Sequence, residues 1–529
     1  MHDVVIAGAG PVGLFLACEL GLGGCSVLVL EREPRPGSRW RAAPLGLRGL
    51  SAASVQAFHR RGLADRLVAA SGVRDAPSGP PAVGHFAGMA LDPAKVDLDA
   101  LPHRLAGAVP RGLMTSLEAV EAVLAERAAG LGVEIRRGVA VSDVEPGPDG
   151  VVVHAGGQRH AARWVVGCDG GRSAVRRAAG FGFVGTQPLF TGYTMLVDVD
   201  RPEVLRPGFH PTPDGMYLRM PAEGHLGVVD FDGGAFDRGR QPDRAHLQAV
   251  LRRVSGTDVT LTAVHLVSTF TDRAMQATTY RRGRVLLAGD AAHVHSPLGG
   301  QGLNTGLGDA LNLGWKLAAV VRGRASEALL DTYTGERHPV GADVLDWTRA
   351  QSAAMRPDAH GRAVQGVLRD LLGTRDGTTY AYGRVSGASL RHDLGGRHPL
   401  VGLTAPDFRL ADGTGLADLM RDGRAVLLDF DGLLHGRAVG REELRHVTGP
   451  AADDPGPGDR GPDNPGLDNP GLGDRELGDR ELGDLGLGAV LVRPDGVVAW
   501  AADRDPDRDP DPAALDRAVG RFLRGDGPR

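Results

Sequence analysis

The chain has 529 residues, 42% of them hydrophobic, which is too long for one core and apolar enough for several packed units. Its 60 basic and 65 acidic residues give a formal net charge of -5, which argues against a general nucleic-acid surface. No uninterrupted apolar run reaches the ~18 residues of a membrane span, and the three scattered cysteines, Cys18, Cys25 and Cys168, make neither a disulfide framework nor a metal-ligand pattern; a reducing, cytoplasmic setting is expected.

From the amino terminus, Val4 to Ala7 form a short buried-strand run. Gly8-Ala9-Gly10-Pro11-Val12-Gly13 and an apolar helix to about Leu22 follow it. A second strand, Ser26 to Leu30, ends in Glu31. Strand, glycines, helix, strand and acid in this order make the dinucleotide-binding βαβ fingerprint: Gly8 for the tight turn, Gly10 to admit a pyrophosphate, Gly13 for helix packing, and Glu31 as acceptor for a ribose hydroxyl. The acid suits the adenosine ribose of FAD or NAD alike. The loop beyond it carries Arg39, Arg41 and Arg48, whose guanidinium forks could pair with phosphates, and the chain becomes helical near Ser51.

Residues 75 to 104 are Pro/Gly-rich and read as an excursion from this domain. An amphipathic helix from Leu113 to Leu131 and a strand from Val133 to Arg136 come next. Val151 to His154 and Arg159 to Val166 read as a hairpin that runs into Gly167-Cys168-Asp169-Gly170-Gly171-Arg172-Ser173. Cys168 reads as a small buried residue rather than a redox centre. Alternation across 185 to 275 predicts an antiparallel sheet that could wall a substrate cavity, with Tyr193, Met195, Met216, Tyr217, Phe231 and Phe270 as candidate lining residues.

The stretch from Arg282 to Lys316 combines a buried strand (Val285 to Ala288), the Gly289-Asp290 corner, a Pro/Gly-rich loop and a helix opening near Leu303. Glycines at 299, 300 and 302 let backbone press against a flat ligand, and the helix N-terminus places partial positive charge beside it. Asp290 can accept from a sugar or polyol hydroxyl. His293, His295 and His338 are candidates for proton handling. Helical pattern runs from Ser326 to about Leu372. A new unit begins near His398, with a helix near Leu416 to Met420, a strand from Ala425 to Phe430, a hairpin from Ala489 to Ala501 around Pro494-Asp495-Gly496, and a helix from Pro512. Short polar repeats between about 451 and 486 read as a disordered insertion.

Three motifs, Gly8-x-Gly10-x-x-Gly13, then Cys168-Asp169-Gly170, then Gly289-Asp290 with Pro297 to Asn304, stand in the order and separation of one family. The chain resembles the class A FAD-dependent aromatic hydroxylases, built on the para-hydroxybenzoate hydroxylase fold, and within them the aromatic polyketide hydroxylases that tailor angucyclines and anthracyclines. The resemblance implies an α/β fold: a Rossmann-like FAD-binding domain (1–75, 105–184, 276–330), an inserted antiparallel-sheet substrate domain (76–104, 185–275), a helical connector (331–396) and a C-terminal thioredoxin-like domain (397–529). That last domain has no cysteine, so disulfide exchange is excluded.

Carried onto this sequence, the resemblance implies that Gly8, Gly10, Gly13, Glu31 and Asp290 hold FAD. Arg32, Arg41, Arg48, Arg111 and Asp169 are further cofactor-contacting candidates. Pro297, Gly299, Gly300 and the backbone on to Asn304 would face the isoalloxazine, with Gly302 and Leu303 donating N-H bonds near its O2 edge. It implies NADPH or NADH as transient reductant, O2 as oxidant through a flavin C4a-hydroperoxide, no metal, and a polycyclic phenol as substrate, with a homodimer as the usual assembly. Baeyer-Villiger or ring-rearranging oxygenation is a near alternative. A flavin reductase or scaffold is the alternative of another class.

Overall fold

The computed structural model describes residues 1–72, 84–101, 112–220, 222–237, 239–432, 434, 444–449, 486–504 and 512–521. Arg111 and nearly all of the expected insertion at about 451–486 lie outside the described residues.

The central sheet is built around the parallel strand His2–Ala7, which pairs with Val27–Glu31 on one side and Gln158–Gly167 on the other. Glu134–Arg137 extends it beyond Val27–Glu31, and Val285–Leu287 beyond Gln158–Gly167, all parallel. Val4, Val5 and Ile6 are fully buried because helices cover both faces of such a sheet. Removing each of these side chains from water contributes about 1.5–3 kcal/mol. The helix Pro11–Leu22 packs against the long helix Gly302–Val321, which lies so close that a Cβ on Gly314 would sit 2.4 Å from Glu19 Cβ. Leu14, Leu16, Leu307 and Leu313 are buried between sheet and helices.

The expected helix at Leu113 to Leu131 is shorter. Gly112–Ser116 is a strand paired with Leu47–Ser51, and the helix Leu117–Gly130 starts only where the Ser116 side chain accepts from Ala119 N-H. Apolar residues at 113 and 117 fit helix and strand equally well, and the serine cap decides the boundary.

The antiparallel sheet expected from 185 onward has five strands in the order Gly208–Thr212, Gly215–Arg219, His225–Asp230, Thr191–Val199, Leu261–Thr271. One face is covered by the helix Arg244–Ser255, which buries Leu247, Val250, Leu251 and Val254 against it. The other face looks toward the loop that carries Leu298.

The helical connector is three helices rather than one run. Ala328–Ala354 stops ahead of Pro357, and Ala359–Leu372 and Arg375–Ser386 follow. The C-terminal domain has the sheet order Leu444–Thr448, Ala425–Asp429, Leu487–Val492, Val498–Asp503, with the first pair parallel and the others antiparallel. The fold is thus a Rossmann-like FAD-binding domain carrying an inserted antiparallel sheet, followed by a thioredoxin-like C-terminal domain.

Candidate functional site

Three loops leave the carboxyl ends of neighbouring parallel strands and form one crevice: Gly8–Gly10, Cys168–Ser173 and Gly289–Asp290. Ladder bonds fix the bases of the first two: Gly8 N-H donates to Leu30 O of the strand Val27–Glu31 at 2.8 Å, and Cys168 N-H donates to Ala7 O, just before Gly8, at 2.8 Å. Such a crevice is where open α/β sheets take ligands. Gly8 has φ +104 and passes so close to the second loop that a Cβ would lie 2.4 Å from Cys168 O. A Cβ on Gly13 would lie 2.0 Å from Gly8 O. The protein itself therefore demands both glycines.

Gly10 differs. Its φ is -74 and nothing lies within 4 Å of where a Cβ would be, so neither the backbone nor a neighbour requires glycine there. The open volume lies at the start of helix Pro11–Leu22, whose first turn has no side-chain cap. Free N-H groups and the positive end of the helix beside an open volume fit a pyrophosphate. Glu31 is buried at the next strand end. Its Oε2 accepts from Ala9 N-H at 2.7 Å and its Oε1 from Glu33 N-H at 2.9 Å, which fixes the carboxylate beside the turn.

Asp169 caps the short helix Ala174–Ala178, its Oδ2 accepting from Ala174 N-H at 2.7 Å and Val175 N-H at 3.2 Å, while Oδ1 is buried without a partner. Asp290 is exposed on the short turn Gly289–Ala291. Below that turn lies a buried charge cluster absent from the expected site. Asp309, fully buried, accepts from Gly289 N-H at 3.0 Å and Arg337 Nε at 2.8 Å, and its Oδ2 lies 2.7 Å from His293 Nε2. Burial opposes its charge, but His293 and Arg337 hold the carboxyl below its ordinary pKa. The one signal for this cluster was an acid between Leu307 and Leu313 in helix Gly302–Val321, because an acid set among apolar residues needs a partner.

His293 is thereby committed to positioning the corner. His295 lies closer to the loop: its Nδ1 is 2.7 Å from Ser296 O, its Nε2 is buried and unpaired, and burial pushes its pKa down, so the ring is neutral. His338 packs against the Tyr280 ring at 5.5 Å and lends its backbone carbonyl to Gln276.

The loop turns through a bond from Gly300 N-H to Pro297 O at 3.0 Å, leaving Pro297 and Gly300 exposed and Leu298 buried. Helix Gly302–Val321 then opens with no side-chain cap, so the N-H groups at its start are available to a ligand. The Asn304 side chain is engaged elsewhere. Its Oδ1 accepts from Ser51 N-H and Ser54 Oγ, both at 2.8 Å, and its Nδ2 donates to Gly49 O at 3.0 Å.

Among the described residues, the candidate arginines face protein partners or solvent. Arg41 pairs with Glu121 at 2.8 Å, Arg48 donates to the carbonyls of Leu45 and Leu47, Arg32 pairs with Glu33 on the surface, and Arg39 is exposed.

The candidate lining residues divide between the two sheet faces. Met216, Phe231 and Phe270 lie on the loop side with Leu298, Phe190, Phe86 and Trp347; Phe190 meets the Phe231 ring at a tilt, 5.4 Å between centroids, and the Phe270 ring edge-on at 6.3 Å. Tyr193, Met195 and Tyr217 do not line this wall. They belong to the core beneath helix Arg244–Ser255, where the Tyr193 hydroxyl lies 2.9 Å from His246 Nε2. Alternation shows which residues share a face but not which face a later helix will cover.

Comparison with known proteins agrees with this arrangement. The FAD binding domain model matches residues 1–348, and the aromatic-ring hydroxylase C-terminal model matches residues 398–523. A monooxygenase of Claviceps purpurea is 44% identical over 98% of this chain and 97% of its own. A rifampicin monooxygenase of Streptomyces venezuelae is 37% identical over 95% and 96%. The solved anhydrotetracycline hydroxylase of Streptomyces rimosus superposes with a TM-score of 0.80 at 34% identity, covering all of both chains. With a matching family model over 1–348 and relatives aligned along almost its full length, this chain belongs to the FAD-dependent aromatic-ring hydroxylases and is an FAD-dependent aromatic monooxygenase.

Proposed function

We propose that this enzyme uses NADPH or NADH to hydroxylate a polycyclic aromatic polyketide. The observation that carries the proposal is the junction between the loop Pro297–Gln301 and the aromatic wall of the inserted sheet. Leu298 from the loop, Phe190, Met216, Phe231 and Phe270 from the sheet side, and Trp347 from the connector share one apolar cluster. A flat, extended aromatic ligand suits such a wall, since offset and edge-on ring contacts add to simple burial.

Each part of the chain has a task in this scheme. The volume at Gly10, the uncapped helix Pro11–Leu22 and Glu31 would hold the pyrophosphate and ribose of FAD. Asp290, set by the Asp309 cluster beneath Gly289, would take a hydroxyl of the ribityl chain. The uncapped start of helix Gly302–Val321 would donate to the pyrimidine carbonyl of the flavin. Bound FAD, reduced by a nicotinamide dinucleotide, supplies the activation of O2. The apolar wall keeps water from the reacting oxygen, which would otherwise be lost as hydrogen peroxide. The substrate phenol or enol supplies its own electron density, so no protein base is assigned. Stimulation of NADPH oxidation by a tetracyclic phenol, with less than one peroxide formed per NADPH, would support the proposal. Unstimulated oxidation with full conversion to peroxide across polycyclic phenols would refute it.

A further inference from the structure

Three side chains around the loop Pro297–Gln301 are almost completely buried, and each keeps one polar atom without a protein partner: Gln301 Oε1, Trp347 Nε1 and Gln351 Nε2. Gln301 and Trp347 are only 9% and 8% exposed, and Gln351 is fully buried. The three atoms converge. Apart from Gly299 and its two chain neighbours, they are the nearest atoms to the point where a side chain on Gly299 would begin, at 3.9, 3.9 and 3.5 Å. A small space beside the Gly299 backbone is therefore bounded by polar groups.

Neither amide can turn to relieve this. Gln301 Nε2 donates to Arg384 O at 3.0 Å, and Gln351 Oε1 accepts from Ala87 N-H at 3.0 Å. The space is thus faced by two donors and one acceptor. A cation would meet the two donors and an anion the acceptor, so neither suits it. Water accepts twice and donates once there, and three bonds are the usual number for a buried water. The far sides of the same amides give the site its consequence. Gln351, on helix Ala328–Ala354, holds Ala87, the one non-glycine among the described residues with a left-handed backbone, φ 52. Such strain persists where surrounding contacts over-determine it. The adjacent Phe86 meets Trp347 edge-on at 4.7 Å and belongs to the aromatic wall. Gln301 ties the loop to helix Arg375–Ser386 through Arg384 O.

We propose that a single buried water, bound by Gln301 Oε1, Trp347 Nε1 and Gln351 Nε2, pins the loop Pro297–Gln301 to the connector helices and the aromatic wall, and so fixes the N-H groups offered to the flavin. Trp347 and Gln351 are positioning residues in this scheme. The water's site rests on these side chains alone, while its effect on the flavin rests on the cofactor placement proposed above.

The test pairs a crystal structure of the FAD-loaded enzyme, sharp enough to show ordered water, with the reduction equilibrium of its flavin against a reference dye. Trp347→Phe removes one donor and keeps an aromatic ring. Gln351→Met removes the other donor, so a folding defect in one variant still leaves the other to be read. Tyr193→Phe, on the helix-covered face of the sheet, is the comparison for a general loss of stability. The wild type is expected to show one water about 2.7–3.2 Å from all three atoms. Both loop variants should lose it, and their flavin equilibrium should move severalfold toward the oxidised form, because fixed N-H donors favour the negative charge gained on reduction. Tyr193→Phe should leave that equilibrium unchanged. No density between the three atoms, where other buried waters are seen, would overturn the site. A water in the wild type with an unchanged flavin equilibrium in the loop variants, or the same shift in all three variants, would overturn its positioning role. A flavin seated away from the loop would overturn both the cofactor placement and the positioning role, whether or not the water is present.

Discussion

Gly10 and Gly13 share one turn of helix and obey different constraints. Gly13 is pressed against Gly8 O, where a methyl has no room, while Gly10 faces open space. Gly13→Ala is expected to destabilise the fold by about 1–3 kcal/mol through overpacking, seen as a lower thermal midpoint in the apoprotein. Gly10→Ala should leave the apoprotein midpoint unchanged and reduce bound FAD per chain, since the added methyl enters only the ligand's volume. A Gly10→Ala protein with normal FAD content would refute the placement of the pyrophosphate there. At this scale the sequence was informative where a glycine or an acid stands in a fixed frame, as with Gly8, Gly10, Gly13 and Glu31. It was uninformative for Asn304 and Asp169, whose side chains serve neighbouring backbone: the structure uses Asn304 to clamp Ser51 and Ser54, and Asp169 to start the helix at Ala174.

Among elements, the inserted sheet shows most clearly how far a sequence can be read. Its strands follow from period-two alternation, and Thr191–Val199 and His225–Asp230 fall where that alternation puts them. The two faces remained equivalent until the helix Arg244–Ser255 was seen to cover one of them, removing Tyr193, Met195 and Tyr217 from the candidate substrate wall. Two substitutions separate the faces. Tyr193→Phe loses the contact to His246 and should cost about 1 kcal/mol of stability with KM for the substrate unchanged. Phe270→Leu, on the loop side, should raise KM severalfold with a smaller effect on the thermal midpoint. The reverse pattern would place the substrate on the helix-covered face. Likewise, the cap at Ser116 and the strand Gly112–Ser116 were hidden because Leu113 and Leu117 satisfy either period.

Across the whole molecule, the C-terminal domain is joined to the FAD-binding domain through buried charge. The turn Arg493–Gly496 enters the interface, where Arg493 bonds Glu336 at 2.8 and 3.0 Å and Lys316 lies 2.9 Å from Glu336. Asp495 also contacts Arg493 and Asn312. Nearby, Arg61 forms a two-pronged pair with Glu19 at 2.7 Å and donates to Pro494 O. Burial opposes the charge on Glu336, yet Arg493 and Lys316 hold its carboxyl well below the ordinary value; Arg493 also holds Asp495 below its ordinary value against its own burial. Carboxyls whose folded pKa is depressed add stability above their ordinary values of 4.5 and 3.8, and that stability is lost as pH falls through the folded values. Arg493→Met leaves two buried carboxylates facing one lysine and is expected to cost about 3–5 kcal/mol. The loss relative to the wild type should also shrink as pH falls, because burial, no longer outweighed by Arg493, raises the pKa of the remaining carboxyls, and protonating them relieves the cost of their buried charge. Equal midpoints from pH 7 to pH 4 for the two proteins would contradict this account of the interface. None of these pairs was legible in the sequence, since Glu336 and Arg493 are 157 positions apart and each reads locally as an ordinary surface residue.

The central claim is oxygen transfer to a polycyclic aromatic, and the mass of the product formed with NADPH under labelled dioxygen tests it most directly. The account predicts one labelled oxygen atom on an aromatic ring, with the second leaving as labelled water. Consumption of NADPH with no label in any tetracyclic phenol, or return of a substrate reduced by two hydrogens, would contradict it.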